Sequence, residues 1–527
     1  MAGSPPPLDR RTLLLAALGS AGAVVLGSCA SDAASTTTDR ASGPTDPTLL
    51  TPATSADGTA PSTTAPATTA PATTAPATTV PTDPALPYWM QGNFAPVDTE
   101  VEAFDLEITG ALPPELDGLY VRNGSNPAYG STAHWFLGDG MVHGVRLRAG
   151  RAEWYRNRWV STPMLGKDLL AGDTGLAPGG PNNSSNTSVI HHAGKLLSLQ
   201  EIGWPYELST DDLSTIGATD LGGTLTTAMT AHPKVDPRTG LVHAFGYGFV
   251  PPYLTYFVID ATGAVVHSTE VPVAESTMIH DFAITDRDVI FWVLPVVFSM
   301  DLALANQMPF RWEPSHGAQL GIMPLGGAGT DIRWVDIDPC YVFHGTNAWR
   351  DGDDVVLDVS VQPTAFAAGG DHGINSLQRW RLASVSTGTP SFSADVIATR
   401  TLDLPTIDRR RLGTRHLHAW YATTRETPAG FEFAGISHYQ VASDRMDTWD
   451  PGPSMAAGEG LFVPASADAS EGEGWVLVYV YDATRDASDL VVLDALDCAA
   501  GPVARVHLPQ RVPFGFHACW VDGSSLA

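Results

Sequence analysis

Thr230-Ala231-His232-Pro233-Lys234-Val235-Asp236-Pro237-Arg238-Thr239-Gly240-Leu241-Val242-His243-Ala244-Phe245 is the stretch on which the fold turns. A histidine opens it. Asp236 to Gly240 then read as a tight turn, since proline pre-sets one backbone angle and glycine accepts the left-handed one. An apolar run follows from Leu241. Three more histidines open similar phrases. His280 precedes Thr285–Asp288 and a run from Val289. His344 precedes Arg350–Asp354 and a run from Val355. His517 precedes Asp522-Gly523, close to the end of the chain. Each phrase reads as a strand bearing a histidine, a turn, and the next strand. If successive radial units are built alike, equivalent positions meet on a central axis. Four imidazoles there make a metal site. The chain has 16 histidines, and the phrases alone leave open that these four stand in unrelated places.

The same texture extends through the body. Lys195–Gln200, Leu254–Ile259, Val289–Val297, Val355–Val361, Trp475–Tyr481 and Leu490–Leu493 are short runs rich in Val, Leu, Tyr and Phe, split by Asp/Gly turns. No long amphipathic helix appears beyond the N-terminus. A β-rich body of about 440 residues, starting near Tyr88, suits a propeller better than one sandwich. Its spacing is too irregular to count blades. Composition agrees: 51 glycines and 41 prolines in 527 residues favour turns and short strands. Hydrophobic residues make up 43%, enough for a large core. The formal charge is −28, with only three lysines (Lys167, Lys195, Lys234), and such a surface repels phosphate backbones. Nucleic acid is therefore excluded as a routine partner.

The N-terminus reads as an address. Arg10-Arg11 precede an apolar run, Leu13 to Leu26, too short to span a membrane comfortably. The run ends in Leu26-Gly27-Ser28-Cys29, which is similar to a bacterial lipobox with Cys29 as the lipidated residue. Residues 1–29 are thus expected to be a twin-arginine, lipoprotein-type signal. The expectation for the mature protein is a lipid anchor on the outer face of the bacterial cell membrane. Residues 30–87 read as a disordered Thr/Pro/Ala-rich stalk, with Ala-Pro-Ala-Thr-Thr repeated at 65–69, 70–74 and 75–79. Residues 88–527 are the folded body. Beyond Cys29 it has Cys340, Cys498 and Cys519, which permit one bridge, Cys498–Cys519, without requiring it.

Several stretches carry a resemblance. They are Gly118-Leu119-Tyr120-Val121-Arg122-Asn123-Gly124, His134-Trp135-Phe136-Leu137-Gly138-Asp139-Gly140-Met141-Val142-His143, Tyr155-Arg156-Asn157-Arg158, Thr230-Ala231-His232-Pro233-Lys234, Met278-Ile279-His280-Asp281-Phe282, Phe343-His344-Gly345-Thr346-Asn347-Ala348 and Pro513-Phe514-Gly515-Phe516-His517. In these the chain resembles the carotenoid cleavage oxygenase family, from about Phe94 to Trp520. That family includes carotenoid, apocarotenoid and stilbene dioxygenases and a retinoid isomerase.

The resemblance implies an all-β, seven-bladed β-propeller with a loop/helix dome over an axial metal site. It implies Fe(II) as cofactor, held by His232, His280, His344 and His517. It implies outer carboxylates at Glu201, Glu459 and Asp403, the last in Asp403-Leu404-Pro405, where the family usually has glutamate. A backbone shift or a bridging water is expected to make up the missing methylene. The implied activity is cleavage of a C=C bond of an apolar polyene, a carotenoid or apocarotenoid, with O₂ to carbonyl products. The alternatives are a stilbene-type dioxygenase, an O₂-independent isomerase and a non-catalytic propeller that binds an apolar ligand. In the stilbene branch a lysine before the first outer glutamate and a tyrosine bind a phenol. Here Gln200 and Trp159 stand at those places, which argues against a 4-hydroxystilbene. Leu137 replaces a frequent aspartate. His134 and His143 read as structural, His191-His192 as part of a hairpin, and His416 and His418 as packing or surface residues. The segment Val293–Met308 reads either as a peripheral membrane contact at a tunnel mouth or as a buried strand and loop.

Overall fold

The computed structural model describes residues 83, 85–167, 178–367, 373–427 and 430–526. Residues 1–29, expected to be a signal and including Cys29, and nearly all of residues 30–87, expected to be a stalk, lie outside them. Seven sheets of four or more strands make seven propeller blades. Their innermost strands, in ring order, are Ala518–Asp522, Ser188–His192, Lys234–Val235, Phe282–Ile284, Tyr341–Asp351, Leu402–Ile407 and Leu461–Pro464. Blades one to seven are numbered in that order.

The two chain ends close the ring by exchange. Ala518–Asp522, near the C-terminus, pairs with Gly118–Ser125 and becomes the inner strand of blade one. Ile108–Gly110, near the N-terminus, pairs with Pro502–His507 and becomes the outer strand of blade seven. Each blade is a separate hydrogen-bonded ladder. Cohesion between blades comes from apolar side chains on both faces of the central strands. These strands are buried almost throughout, as in Leu254–Ile259 and Asp288–Val293. Trp292, Trp380 and Trp420 are among the largest side chains wholly removed from water. Each such side chain gains about 1.5–3 kcal/mol from burial.

The expected strands match within one to three residues at each end, with one exception. Val289–Val297 is not continuous: Asp288–Val293 belongs to blade four, whereas Val296–Phe298 pairs with Phe310–Trp312 in a separate hairpin. Pro295 lacks a ladder donor and marks the break. Between the hairpin strands lies Met300–Leu304, a single turn of α-helix capped by Ser299. Val293, Leu294, Val296 and Val297 are buried, which supports the core reading for that half of the segment. Among the described residues no helix is long and apolar enough to cross a membrane. Among the described residues no disulfide forms: Cys340, Cys498 and Cys519 are all free. Cys519 sits on the inner strand of blade one, while Cys498 opens a turn after Ala487–Asp494 of blade seven.

Candidate metal centre

The inner strands bring His232, His280, His344 and His517 to one point, with their candidate ligand atoms within 4.8 Å of one another. Three of them stand just ahead of their strands rather than on them. His232 precedes Lys234–Val235, His280 precedes Phe282–Ile284 and His517 precedes Ala518–Asp522. His344 is inside Tyr341–Asp351, where the register with the neighbouring strand shifts on both sides of Gly345. Such a bulge re-aims a side chain. His517 is further tied by its backbone. Its N–H donates to Thr187 O and its carbonyl accepts from Asn123 N–H, both at 3.1 Å.

Three rings are held from behind by carboxylates. His280 Nδ1 bonds Glu201 Oε1. His344 Nδ1 bonds Asp403 Oδ1 at 2.8 Å. His517 Nδ1 bonds Glu459 Oε1 at 2.8 Å. Each carboxylate takes a further donor. Tyr247 Oη donates to Glu201 Oε2 at 2.6 Å, Ala518 N–H to Glu459 Oε2 at 2.6 Å, and Leu404 N–H to Asp403 Oδ1 at 2.9 Å. The work is divided by blade. Blades one, three, four and five supply the histidines; blades two, six and seven supply the acids.

Asp403 needs no bridging water. Its own backbone makes up the length: the register slips between Asp403 and Thr406, and Leu404 adopts a left-handed φ of 49°. A branched-chain residue at such a φ is uncommon and is sustained by its surroundings.

A divalent cation fits this donor set. A carboxylate oxygen accepts, so Nδ1 of His280, His344 and His517 carries the hydrogen and Nε2 presents a lone pair inward. His232 Nε2 is 3.0 Å from His280 Nε2, which is 3.3 Å from His344 Nε2. Lone pairs this close repel unless a cation lies between them. Metal–nitrogen bonds of about 2.1 Å place adjacent donors about 3 Å apart. Burial pushes His232 well below its ordinary range, and repulsion from His517, His280 and His344 adds to it, so this ring stays neutral. Burial likewise lowers His517 in spite of Glu459. For His344 burial is outweighed by the Asp403 carboxylate, and the net direction is upward.

An aromatic wall stands over the rings. Phe343 packs edge-on to His280 at 5.3 Å between centroids. Phe136 and Phe366 lie 6.1 and 6.2 Å from Phe343, and Phe516 lies 5.7 Å from Phe136. Phe366 leads on to Phe310, and Phe298 stacks on Phe249 at 4.1 Å. An elongated apolar molecule matches such a surface.

Residues 94–522 match the family described as retinal pigment epithelial membrane protein. The chain belongs to this family, that of the carotenoid cleavage oxygenases. It is 38% identical over 498 residues to a carotenoid cleavage oxygenase of Mycobacterium tuberculosis, covering 82% of this chain and 97% of the relative. It is 33% identical to carotenoid 9,10(9',10')-cleavage dioxygenase 1 of Arabidopsis thaliana, covering 84% and 92%. Its fold superposes on lignostilbene dioxygenase of Pseudomonas brassicacearum with a TM-score of 0.78 and 30% identity, covering 84% of this chain and 99% of that one.

The remaining sequence candidates fall elsewhere. His134 Nδ1 accepts from Phe136 N–H, and burial holds the ring down at about 4. His143 bonds Tyr155 Oη in blade one. His191-His192 ends a strand and turns into Lys195–Leu199, forming the expected hairpin. His416 lies against Asp358, and His418 against His438. Leu137 is buried, while Asp139 accepts the backbone N–H groups of Ala128 and Gly166. Trp159 donates its indole N–H to Asn126 O, and Gln200 Oε1 accepts from Ile202 N–H. Tyr247 and the aromatic wall went unassigned in the sequence. Tyr247 closes a strand with no turn or motif to mark it, whereas Phe343 adjoins His344 and Phe136 sits in a quoted stretch.

Proposed function

We propose that this chain is a non-haem Fe(II) dioxygenase that cleaves a C=C bond of a carotenoid or apocarotenoid with O₂ to give carbonyl products. The observation that carries the proposal is the four-imidazole cluster backed by three carboxylates beneath an aromatic wall. Bound there by His232, His280, His344 and His517, Fe(II) supplies the activation of O₂. The chain's own residues do the rest. Glu201, Asp403 and Glu459 fix the ring tautomers and offset a dication that neutral imidazoles leave uncancelled. Phe343, Phe136 and Phe366 exclude water and hold a planar polyene beside the metal. The depth to which the polyene enters selects the bond. A stilbene-type reading rests on the likeness to the lignostilbene enzyme. Against it, Gln200 offers no cation to a phenolate.

The test is O₂ uptake by anaerobically iron-loaded protein on addition of an apocarotenoid, with ¹⁸O₂ label traced into the two carbonyl fragments. Uptake of one O₂ per cleavage supports the reading. Isomerised substrate without O₂ uptake, binding without turnover, or turnover of a 4-hydroxystilbene alone each replaces it with the corresponding alternative.

We further propose export by the twin-arginine route, which carries folded proteins and so permits iron loading beforehand, followed by anchoring through Cys29. Recovery of the mature protein from the cytoplasmic fraction contradicts this. Peripheral membrane contact near Met300, Leu302, Leu304 and Met308, all half-buried, belongs to the same proposal.

A further inference from the structure

The blades share no hydrogen-bonded ladder, so nothing in the sheets themselves sets the distance from one histidine to the next. His517 is fixed by its own backbone, within blade one through Asn123 N–H and across to blade two through Thr187 O. The other three histidines, on blades three, four and five, are spanned by a different device just beyond the rings. Lys234, two residues after His232, places Nζ 2.6 Å from Asp281 Oδ1. Asp281 follows His280 directly. Its Oδ2 accepts the N–H of Gly345 at 3.0 Å, and Gly345 follows His344 directly. Its Oδ1 also accepts the N–H of Phe282 at 2.8 Å.

We propose that Asp281 is a positioning residue for the metal centre, bracing His232, His280 and His344 at coordination spacing through Lys234 and Gly345. The inference rests on the metal reading above and extends it to residues that touch neither metal nor substrate.

Three observations carry it. The carboxylate is 2% exposed and the lysine 15%, so the pair is enclosed and each depends on the other. Lys234 is one of three lysines in 527 residues, and its ammonium also lies over the Phe282 ring at 5.7 Å. Gly345 leaves little room to move: a Cβ there would stand 3.0 Å from the Trp292 ring and 3.8 Å from Asp281 Oδ2. One carboxylate thus joins three strands at the residues beside three ligands.

The test uses the full chain loaded with Co(II), whose d–d absorption reports the arrangement of its donors. Asp281→Asn keeps the volume but turns an amide toward Lys234. It is expected to lose Co(II) to excess EDTA at least about tenfold faster than the parent, with displaced d–d bands. Lys234→Gln, which leaves the Gly345 bond intact, is expected to shift both readouts in the same direction by less. Melting of the metal-free forms controls for folding, and if the Asp281 variant does not fold, Lys234→Gln decides. Parental release rates and bands in the folded variants overturn the inference. So does a lowered metal-free melting temperature with unchanged bands, the mark of a brace for folding alone. If the parent takes up no Co(II), the metal reading itself fails.

Discussion

Asp403 reaches His344 Nδ1 directly at 2.8 Å although its side chain is one methylene shorter than the glutamate expected there. The left-handed Leu404 and the slipped register beside it bring the carboxylate in. Replacing Asp403 with Asn leaves an amide that can still accept from Nδ1 but adds no negative charge. Iron affinity is expected to fall by about 10–100-fold with the fold intact. Metal content after dialysis against a graded chelator, with circular dichroism as the control, checks this.

Tyr247 locks the second oxygen of Glu201. Burial, reinforced by Glu201, holds its phenol well above the ordinary range, so it remains a donor. Tyr247→Phe strands a buried carboxylate oxygen. A loss of about 1–3 kcal/mol in metal-free stability is expected from denaturant titration, together with weaker iron retention.

By the family resemblance, Gln200 occupies the position expected to hold a phenol-binding lysine in a stilbene-cleaving enzyme. Gln200→Lys is expected to raise turnover of a 4-hydroxystilbene relative to an apocarotenoid, measured as the ratio of kcat/KM values. An unchanged ratio removes position 200 from the account of specificity.

Acid should weaken the fold through buried histidines outside the four-ring cluster. Burial pushes His243, His416 and His438 down to about 4. In the unfolded chain they titrate near about 6.5. Between those values the unfolded state binds protons that the folded state does not, so stability is full above about pH 6.5 and declines toward pH 4. The urea midpoint of the metal-free protein at pH 4.5 is expected to lie clearly below that at pH 7.5.

The recurring phrases of turn and apolar run after His232, His280 and His344, with His517 before a last turn, suggest a shared centre in the sequence, and the family resemblance singles the four out. The blade count is not legible, for two physical reasons visible here. Blade four carries an inserted hairpin and helical turn, and blades one and seven borrow strands from opposite chain ends. Glu201 lies in the turn after Lys195–Leu199, 79 residues from the ring it holds. No local pattern links the two, and only the family resemblance does. Asp403 is readable as a carboxylate but not as a direct partner, since its reach depends on a backbone slip. The Lys234–Asp281 pair sits inside quoted motifs, yet its significance appears only once three blades are set side by side.

The central claim is a single ferrous ion shared by four imidazoles. Crystals grown anaerobically from iron-loaded protein and measured on both sides of the iron absorption edge test it directly. One anomalous peak is expected about 2.1 Å from Nε2 of His232, His280, His344 and His517. A peak elsewhere, or one of these rings turned away from it, contradicts the account.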